Sequence, residues 1–555
     1  MISNLELANL IFPEITETID DLEKRYPLRD LPEGAEVTRF APSPTGFLHT
    51  GSLFTAMICR KVASQSKGVF YIRLEDTDTK REIAGSGEQL LEQLRLFNIV
   101  PDEGYMATKE VGNYGPYTQS KRADIYKVCI KELIRQGRAY PCFLTQEEIE
   151  DIRKKQEAQK LQPGIYGEFA LYRDLSNDER VRRIKNGDPY VIRFKSNGNH
   201  LNKIQVSDLV RGDFEIMEND LDVVILKGDG LPTYHFAHAV DDHFMRTTTV
   251  MRGEEWISSL PIHVELFDAL GFKRPRYAHL PVIMKLDENG HKRKLSKRLD
   301  SEAAVSFFLE DGYPSESLIV YLMTIMNSNF EQYLFDNDFR NLDDFMFSFD
   351  KMSLDGALFD ITKMQFFSKE ILSRKNKHEM RLLAEAYASK YNKNLLDLIN
   401  RDPDYFEAIM NIDREKENPR KDYYKFGDMD QIIGFFYNDI YEKLIKEELP
   451  FNPNFDKHLI IKMINKMKDL PLDKDESEWF NQMKEWSLEE GFAPSGKFLK
   501  KEPDKYIGTV GDVAEMLRIT LTGRKNAPTL FAVMQILGKS ECDRRINQMI
   551  EYLSR

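Results

Sequence analysis

In the stretch RFAPSPTGFLHTGSL, Arg39 to Leu53, two glycines stand five apart with a serine behind the second, close to a phosphate-binding P-loop. That loop needs a lysine and then Ser or Thr after the second glycine, so that an ammonium reaches the terminal phosphates and a hydroxyl holds magnesium. Here Gly51 is followed by Ser52 and Leu53, so both active side chains are missing. What the stretch offers instead is His49. At the opening of a helix, bare backbone N–H groups and the positive dipole end favour an anion. The imidazole can donate to an ATP phosphate oxygen, and Gly51, with no side chain, lets an adenine lie against the helix. The competing reading makes His49 a surface residue and Gly46 and Gly51 ordinary turn glycines.

A second candidate is HKRKLSKRLD, where Lys292 to Arg298 form a basic cluster interrupted by Leu295 and Ser296. Most such runs are solvated loops. Beside His49, however, Lys294 and Lys297 are suited to offset charge gathering on a departing pyrophosphate. A third is His235, His238, Asp241, Asp242 and His243, whose helical spacing could bring imidazoles and carboxylates onto one metal, the signature of a metal-dependent phosphohydrolase.

The elements that must carry these residues can be read from periodicity. AEVTRFA is a short β-branched and aromatic run; TGSLFTAMICRKVASQSKG places Leu53, Phe54, Met57, Ile58 and Val62 at helical spacing before Gly68; VFYIRLE is a second strand. Strand, glycine turn, helix, strand is a βαβ unit whose right-handed crossover makes the strands parallel, with ligands beyond their carboxyl ends. The acidic residues 1–34 are expected to be an appended helix with a Pro- and Gly-containing linker. A mixed insertion follows GPYTQSKRADIY. DVVILKGDGLPTYHFAHAVDDH and TTTVMRGEEW then supply strand signals expected to complete the same sheet, with SSLPIHVELFDALGF as a helix. Beyond about Asp300 the periodicity is helical, as in SESLIVYLMTIMN, HLIIKMINKMKDL and VGDVAEMLRITL.

The whole chain sets bounds. At 555 residues it exceeds one core, and 41% hydrophobic with 11% aromatic residues suffices for several. Cys59, Cys129, Cys142 and Cys542 have no C-x-x-C spacing, which argues against a disulfide framework or a cysteine zinc site. With no basic leader and no run of eighteen apolar residues, a soluble cytoplasmic protein is expected, without membrane partner. A net charge of −13 counts against a nucleic-acid partner, yet it is an average, and basic stripes such as HKRKLSKR and RDLSNDERVRRIKNG leave one open.

HTGS and KLSKR resemble the two signatures of class I aminoacyl-tRNA synthetases, H-I-G-H and K-M-S-K-S. The likeness extends, in order from Glu36 over nearly the whole chain, through TRFAPSPTGFLHTGS, IRLEDTD, GPYTQS, DGLPTYHFAHAVDDH, RGEEW, KLSKR, LRITLTG and LFAVMQILGK. Together these resemble the bacterial-type glutamyl-tRNA synthetases, with PSPTG and LEDTD favouring the glutamyl over the glutaminyl type. Ser52 and Arg298 depart from the last positions of the two signatures. The resemblance implies an α/β fold: a Rossmann-like parallel-sheet catalytic domain at 35–116 and 229–285, split by an acceptor-binding insertion at 117–228. An N-terminal extension at 1–34 precedes it. A stem-contact region with the KLSKR loop at 286–370 and a helical anticodon-binding region at 371–555 follow.

The resemblance further implies a glutamate–tRNA ligase whose partners are ATP with Mg2+, L-glutamate and tRNA(Glu), with tRNA(Gln) left open, acting as a monomer that needs tRNA bound before activation. His49, Lys294 and Lys297 carry catalysis; His49, Gly51, Ser52, Glu255, Lys294, Ser296 and Lys297 hold ATP; Arg39, Ala41, Ser43, Glu75, Tyr234, His238 and Arg252 hold glutamate. Relatives keep the Y-H-F-A and V-D-D-H run without a protein-bound metal, so none is expected there. No structural zinc is expected either, since relatives that bind zinc there use several cysteines and the insertion holds only Cys129 and Cys142. The charge arithmetic agrees: glutamate's two carboxylates and one ammonium match Arg39, Arg252 and Glu75. The alternative is that Arg39 and Glu75 merely form an ion pair across neighbouring strands. Two other functions stay in view. A small nucleotidylyltransferase would leave the C-terminal region idle, and a non-catalytic tRNA-binding relative would not need His49, Glu75, Lys294 and Lys297.

Overall fold

The β-branched and aromatic run at Val37–Phe40 forms strand β1, and Val69–Ile72 forms β2, paired in parallel from Val37↔Val69 to Phe40↔Ile72. Helix α3 (Thr50–Gln65) is the crossover and buries Leu53, Phe54, Met57, Ile58 and Val62, the face its periodicity predicts. Gly68 is required where the chain turns into β2, because a Cβ there would sit 1.9 Å from the Glu36 carbonyl oxygen. The sheet continues with β3 (Glu103–Tyr105), parallel to β2, and the short antiparallel β4 (Glu110–Val111). Helix α4 (Ser86–Leu96) precedes β3. This computed structural model describes every residue except 45, 79–82, 84 and 297.

On the other side of β1, the Thr248 N–H donates to the Val37 carbonyl at 2.9 Å and leads into β10 (Thr249–Gly253). β10 runs parallel to β11 (Arg276–Leu280), which meets β7 (Lys203–Asp208) at Tyr277↔Asp208; β7 and β8 (Gly212–Met217) form an antiparallel hairpin. Helices α8 (Tyr234–Phe244) and α9 (Leu260–Leu270) pack on this half with α5 (Ala123–Arg135).

Three expectations need correction. The strand in DVVILK, β9 (Val224–Leu226), does not complete the main sheet: it pairs antiparallel with β6 (Val191–Phe194), itself antiparallel to β5 (Ala139–Cys142). That smaller sheet belongs to the inserted region, with α6 (Gln146–Ala158) and α7 (Asn177–Lys185). YHFAHAVDDH, read among the strand signals, is helix α8. The N-terminal segment, expected to be one appended helix, is two capped helices, α1 (Asn4–Ile11) and α2 (Ile19–Arg25). Leu7, Phe12, Leu22 and Tyr26 join the core beneath α5 and α8, and Glu23 accepts from His243 and Arg246 at the end of α8.

A third small sheet pairs β12 (Ile283–Leu286) with the antiparallel β13 (Lys292–Lys294) and the parallel β14 (Ala357–Leu358). All these elements lie in one unit, Met1–Phe307 with Ile319–Ile361; Phe308–Leu318 with Thr362–Arg555 form a second. From Thr362 onward the described regular elements are helical, built around buried faces such as Met380, Leu395 and Phe406, and Met483, Met516 and Ile546. Among the described residues no helix is long and apolar enough to cross a membrane.

Candidate active site

The carboxyl ends of β1, β10 and β11, with the segment just past β2, open on one cavity of about 1030 Å3. Arg39, Ala41, Ser43, His49, Gly51, Ser52, Glu75, Tyr234, Arg252, Glu255 and Lys294 all line it. Two of the expected residues that the structure describes do not: Ser296 lies in the loop behind Lys294, and His238 is wholly buried behind Tyr234. Lys297 falls outside the described residues.

One end of the cavity is a buried ionic cluster. Arg39 Nε donates to Asp242 Oδ1 at 3.1 Å, and Arg73 donates to the same oxygen at 2.7 Å and to Glu75 Oε1 at 3.0 Å. The Arg39–Glu75 bridge considered from sequence is therefore not formed; each has another partner. Burial penalises all these charges. For Asp242 it is outweighed by Arg39 and Arg73, which hold the carboxyl well below its usual range. Burial likewise opposes the charge of Arg39, and the Asp242 carboxylate more than offsets it, so the pKa rises. Glu75 differs: burial pushes it up and Arg73 and Arg39 only partly counter that, so it stays above the ordinary value. Such a carboxylate gains from a nearby ammonium.

Arg252, at the end of β10, is held by neutral groups. Its Nε donates to His279 Nε2 and its NH1 faces His263 Nδ1, each at 3.1 Å, and its guanidinium lies 4.9 Å from the centre of the Tyr277 ring. Burial pushes both imidazoles down, so they add no charge. Among the described residues no carboxylate forms an ion pair with Arg252. A buried cation without an anion strongly favours one from outside. Tyr234 closes this end, its ring tilted 36° against that of Trp256 with centroids 4.4 Å apart.

At the other end His49 caps α3, its Nδ1 accepting the Gly51 N–H at 2.9 Å. That bond leaves the proton of the neutral ring on Nε2. A Cβ at Gly51 would stand 3.3 Å from Nδ1. Thr50 Oγ1 donates to the Glu302 carbonyl at 2.7 Å and Val305 N–H to the Leu48 carbonyl at 3.1 Å, so the histidine turn is stitched to the segment following the KLSKR loop. That loop is shaped by Asp300, which accepts two bonds from Arg293 at 2.6 and 2.7 Å and the Ser296 N–H at 2.9 Å. Lys294 Nζ lies 3.6 Å from Glu255 Oε1.

The supposed metal cluster disperses. His235 Nδ1 faces His263 Nε2 at 3.0 Å, Asp241 accepts from Arg122, Gln119 and Tyr126, and His243 bonds Glu23 while stacking on Phe272. Among the described residues no group of three or more His, Cys, Asp or Glu is placed to hold a metal ion. Sequence reading missed Arg73, Trp256, Asp300 and the ionic role of Asp242. The signal for Asp242 is present in the sequence, since two adjacent acids interrupt the apolar face of a helix, but the only role weighed for it there is metal ligation, which the resemblance sets aside.

The family model for the catalytic domain of tRNA synthetases class I (E and Q) matches residues 36–365, and that for an anticodon binding domain matches 504–550. The chain is 46% identical to the glutamate–tRNA ligase of Clostridium perfringens (strain 13 / Type A), an alignment covering 97% of this chain and 99% of that protein. It is 38% identical to that of Sorangium cellulosum (strain So ce56), covering 96% and 97%. Among solved structures, the glutamate tRNA ligase of Elizabethkingia meningosepticum CCUG26117, in complex with its amino acid, superposes with a TM-score of 0.72 at 30% identity, covering 94% of this chain and 100% of that one.

Proposed function

Since the chain belongs to the class I tRNA synthetases (E and Q), we infer that it is a glutamate–tRNA ligase, joining L-glutamate to the 3′ end of tRNA(Glu) at the expense of ATP. The observation that supports the site assignment is the charge pattern of a single cavity: Arg39, Arg252 and Glu75 at the buried end, His49 and Lys294 at the open end. Glutamate's ammonium goes to Glu75 and its carboxylates to Arg39 and Arg252, with Tyr234, Ser43 and Ala41 shaping the wall. His238, behind Tyr234, holds that ring in place without touching the amino acid.

ATP enters at the α3 turn with its magnesium. The His49 Nε2–H donates to a phosphate oxygen, Gly51 and Ser52 leave the helix start open to the nucleotide, and Glu255 steers Lys294. A glutamate carboxylate oxygen attacks the α-phosphorus, the bond to the β-phosphate oxygen breaks, and pyrophosphate leaves with its charge offset by Lys294 and Lys297. The terminal ribose hydroxyl of tRNA then attacks the mixed anhydride, releasing AMP. Ser296 acts by shaping the loop that presents both lysines. Catalysis is positioning and charge stabilisation, with no protein nucleophile. The protein works as a monomer in the cytoplasm, and the insertion and helical region grip the acceptor end and the anticodon.

The test is aminoacylation of purified tRNA(Glu) and tRNA(Gln) with labelled glutamate. Charging of tRNA(Glu) is expected; failure to charge either would overturn the assignment. Arg39→Gln erodes the preference for glutamate over glutamine if Arg39 reads the side-chain carboxylate. It weakens both equally if Arg39 reads the α-carboxylate.

A further inference from the structure

Asp208 is the last residue of β7 and is 5% exposed. It comes from the hairpin that precedes β9 in the chain, yet it lies under the amino-acid end of the cavity. Both its oxygens are fully engaged by donors. Oδ2 accepts the His279 Nδ1–H at 2.7 Å and the His279 backbone N–H at 3.0 Å; Oδ1 accepts the N–H groups of Val210 at 2.9 Å and Arg211 at 3.0 Å. A carboxylate in this position fixes the tautomer of the ring it faces. With Nδ1 carrying the proton, His279 Nε2 presents a bare lone pair, and that is the atom receiving the Arg252 Nε–H at 3.1 Å.

We propose that Asp208 and His279 are positioning residues for Arg252: the carboxylate sets the imidazole tautomer, the imidazole accepts from Nε, and the hydrogens of NH1 and NH2 that do not face His263 Nδ1 and the Trp256 carbonyl are thereby aimed at a carboxylate of the amino acid. This rests on the glutamate-site reading above. Three observations support it. Arg252 has no ion-pair partner among the described residues, so a neutral acceptor orients it without spending its charge. His279 is fully buried, and that burial, helped by Arg252, outweighs the opposing pull of the Asp208 carboxylate and holds its pKa below the ordinary imidazole value. The Tyr277 ring stacks on His279 at 5.8 Å and 11° and also lies against Arg252, holding both in plane.

Asp208→Asn tests the relay with almost no change of shape. A carboxamide has one accepting oxygen. If that oxygen serves the Val210 and Arg211 turn, the amide N–H groups face His279 Nδ1 and drive its proton to Nε2, where it opposes the Arg252 Nε–H. Loss of one charge-assisted bond to the substrate's partner is expected to raise KM for glutamate at least about tenfold, with KM for ATP within about twofold. In His279→Gln the side-chain oxygen can accept from Arg252 whatever residue 208 does. Adding Asp208→Asn to that background should change KM for glutamate by less than about twofold. An equal effect of Asp208→Asn in both backgrounds, or no effect in either, would show that Asp208 serves only its turn and would overturn the proposal. Nitrogen-15 shifts of His279 in histidine-labelled wild-type protein, assigned by its loss in His279→Gln, need no substrate and should report protonation at Nδ1; protonation at Nε2 overturns the relay. Wild-type activation of glutamate, measured first with tRNA present, separates the readings: its absence refutes the functional assignment, while normal activation with an Nε2 tautomer refutes the relay alone.

Discussion

The two ends of the cavity are built on opposite principles. At the amino-acid end the side chains of Arg39 and Asp242 are 5% and 0% exposed and are locked with Arg73 and Glu75. At the nucleotide end Lys294 and Glu255 are 60% and 51% exposed and sit 3.6 Å apart. Buried charges interact strongly and cannot reorganise cheaply, so the first end is preorganised for a small substrate of defined charge. Exposed charges are screened and keep rotamer freedom, which suits a site whose ligand changes shape as pyrophosphate departs. Mutations at the buried end should therefore damage folding and selectivity, and mutations at the open end should damage rate.

The comparison breaks most visibly at Asp242. Asp242→Ala leaves Arg39 and Arg73 buried with their main counter-charge gone, and loss of about 3–5 kcal/mol of stability is expected. Thermal or urea unfolding reads this directly, and an unchanged midpoint would mean the cluster is not the scaffold described. Next comes selectivity: glutamine leaves one guanidinium facing a neutral amide and should be activated at least about a thousandfold less efficiently than glutamate. Efficient activation of glutamine by the wild type contradicts the assignment of both arginines.

For the KLSKR loop, Lys297→Ala should slow glutamate activation about a hundredfold while leaving ATP binding and the unfolding midpoint nearly unchanged. A normal turnover removes Lys297 from the mechanism. His49→Ala should act in the same direction. It also loses an N-cap bond, worth about 1 kcal/mol of stability.

The smallest expected effect is a pH limb. In the proposed assignment Glu75 meets the substrate ammonium only when ionised, and burial holds its folded pKa above the ordinary 4.5. Glutamate affinity is therefore complete above that raised pKa and is lost as pH falls through it, with KM up about tenfold by one unit below. In Glu75→Gln the limb should vanish, leaving a uniformly high KM. A limb that survives the substitution belongs to another group.

How much of this was legible beforehand differs between the same two ends. The nucleotide end was readable because its parts are local: His49, Gly51 and the α3 start follow one another, and the bond from Gly51 to His49 spans two residues. At the amino-acid end the candidates Arg39, Glu75, Tyr234 and Arg252 were found, but their relations were not. In place of the alternative ion pair between Arg39 and Glu75, Arg39 bonds Asp242 across 203 residues, and Glu75 accepts from Arg73, which itself bonds Asp242 across 169 residues. Asp242 itself was read as a possible metal ligand. Helical spacing shows which residues share a face and says nothing about what another strand brings to that face.

Local patterning alone determined the parallel β1–α3–β2 unit, the helical character of the C-terminal region and the placement of His49 at a helix start. These depend on periodicities of two and 3.6 residues and on glycine's freedom, all of which act over a few neighbours. Only the tertiary structure decided that the DVVILK strand joins the inserted sheet, that the first 34 residues pack as two helices under α5 and α8, that His235 and His238 pack on His263 while His243 turns to Glu23, and that Asp208 reaches Arg252 through His279. Each of those outcomes is a pairing between distant segments, chosen by which buried polar groups can satisfy one another once water is excluded, and that competition is settled across the whole fold.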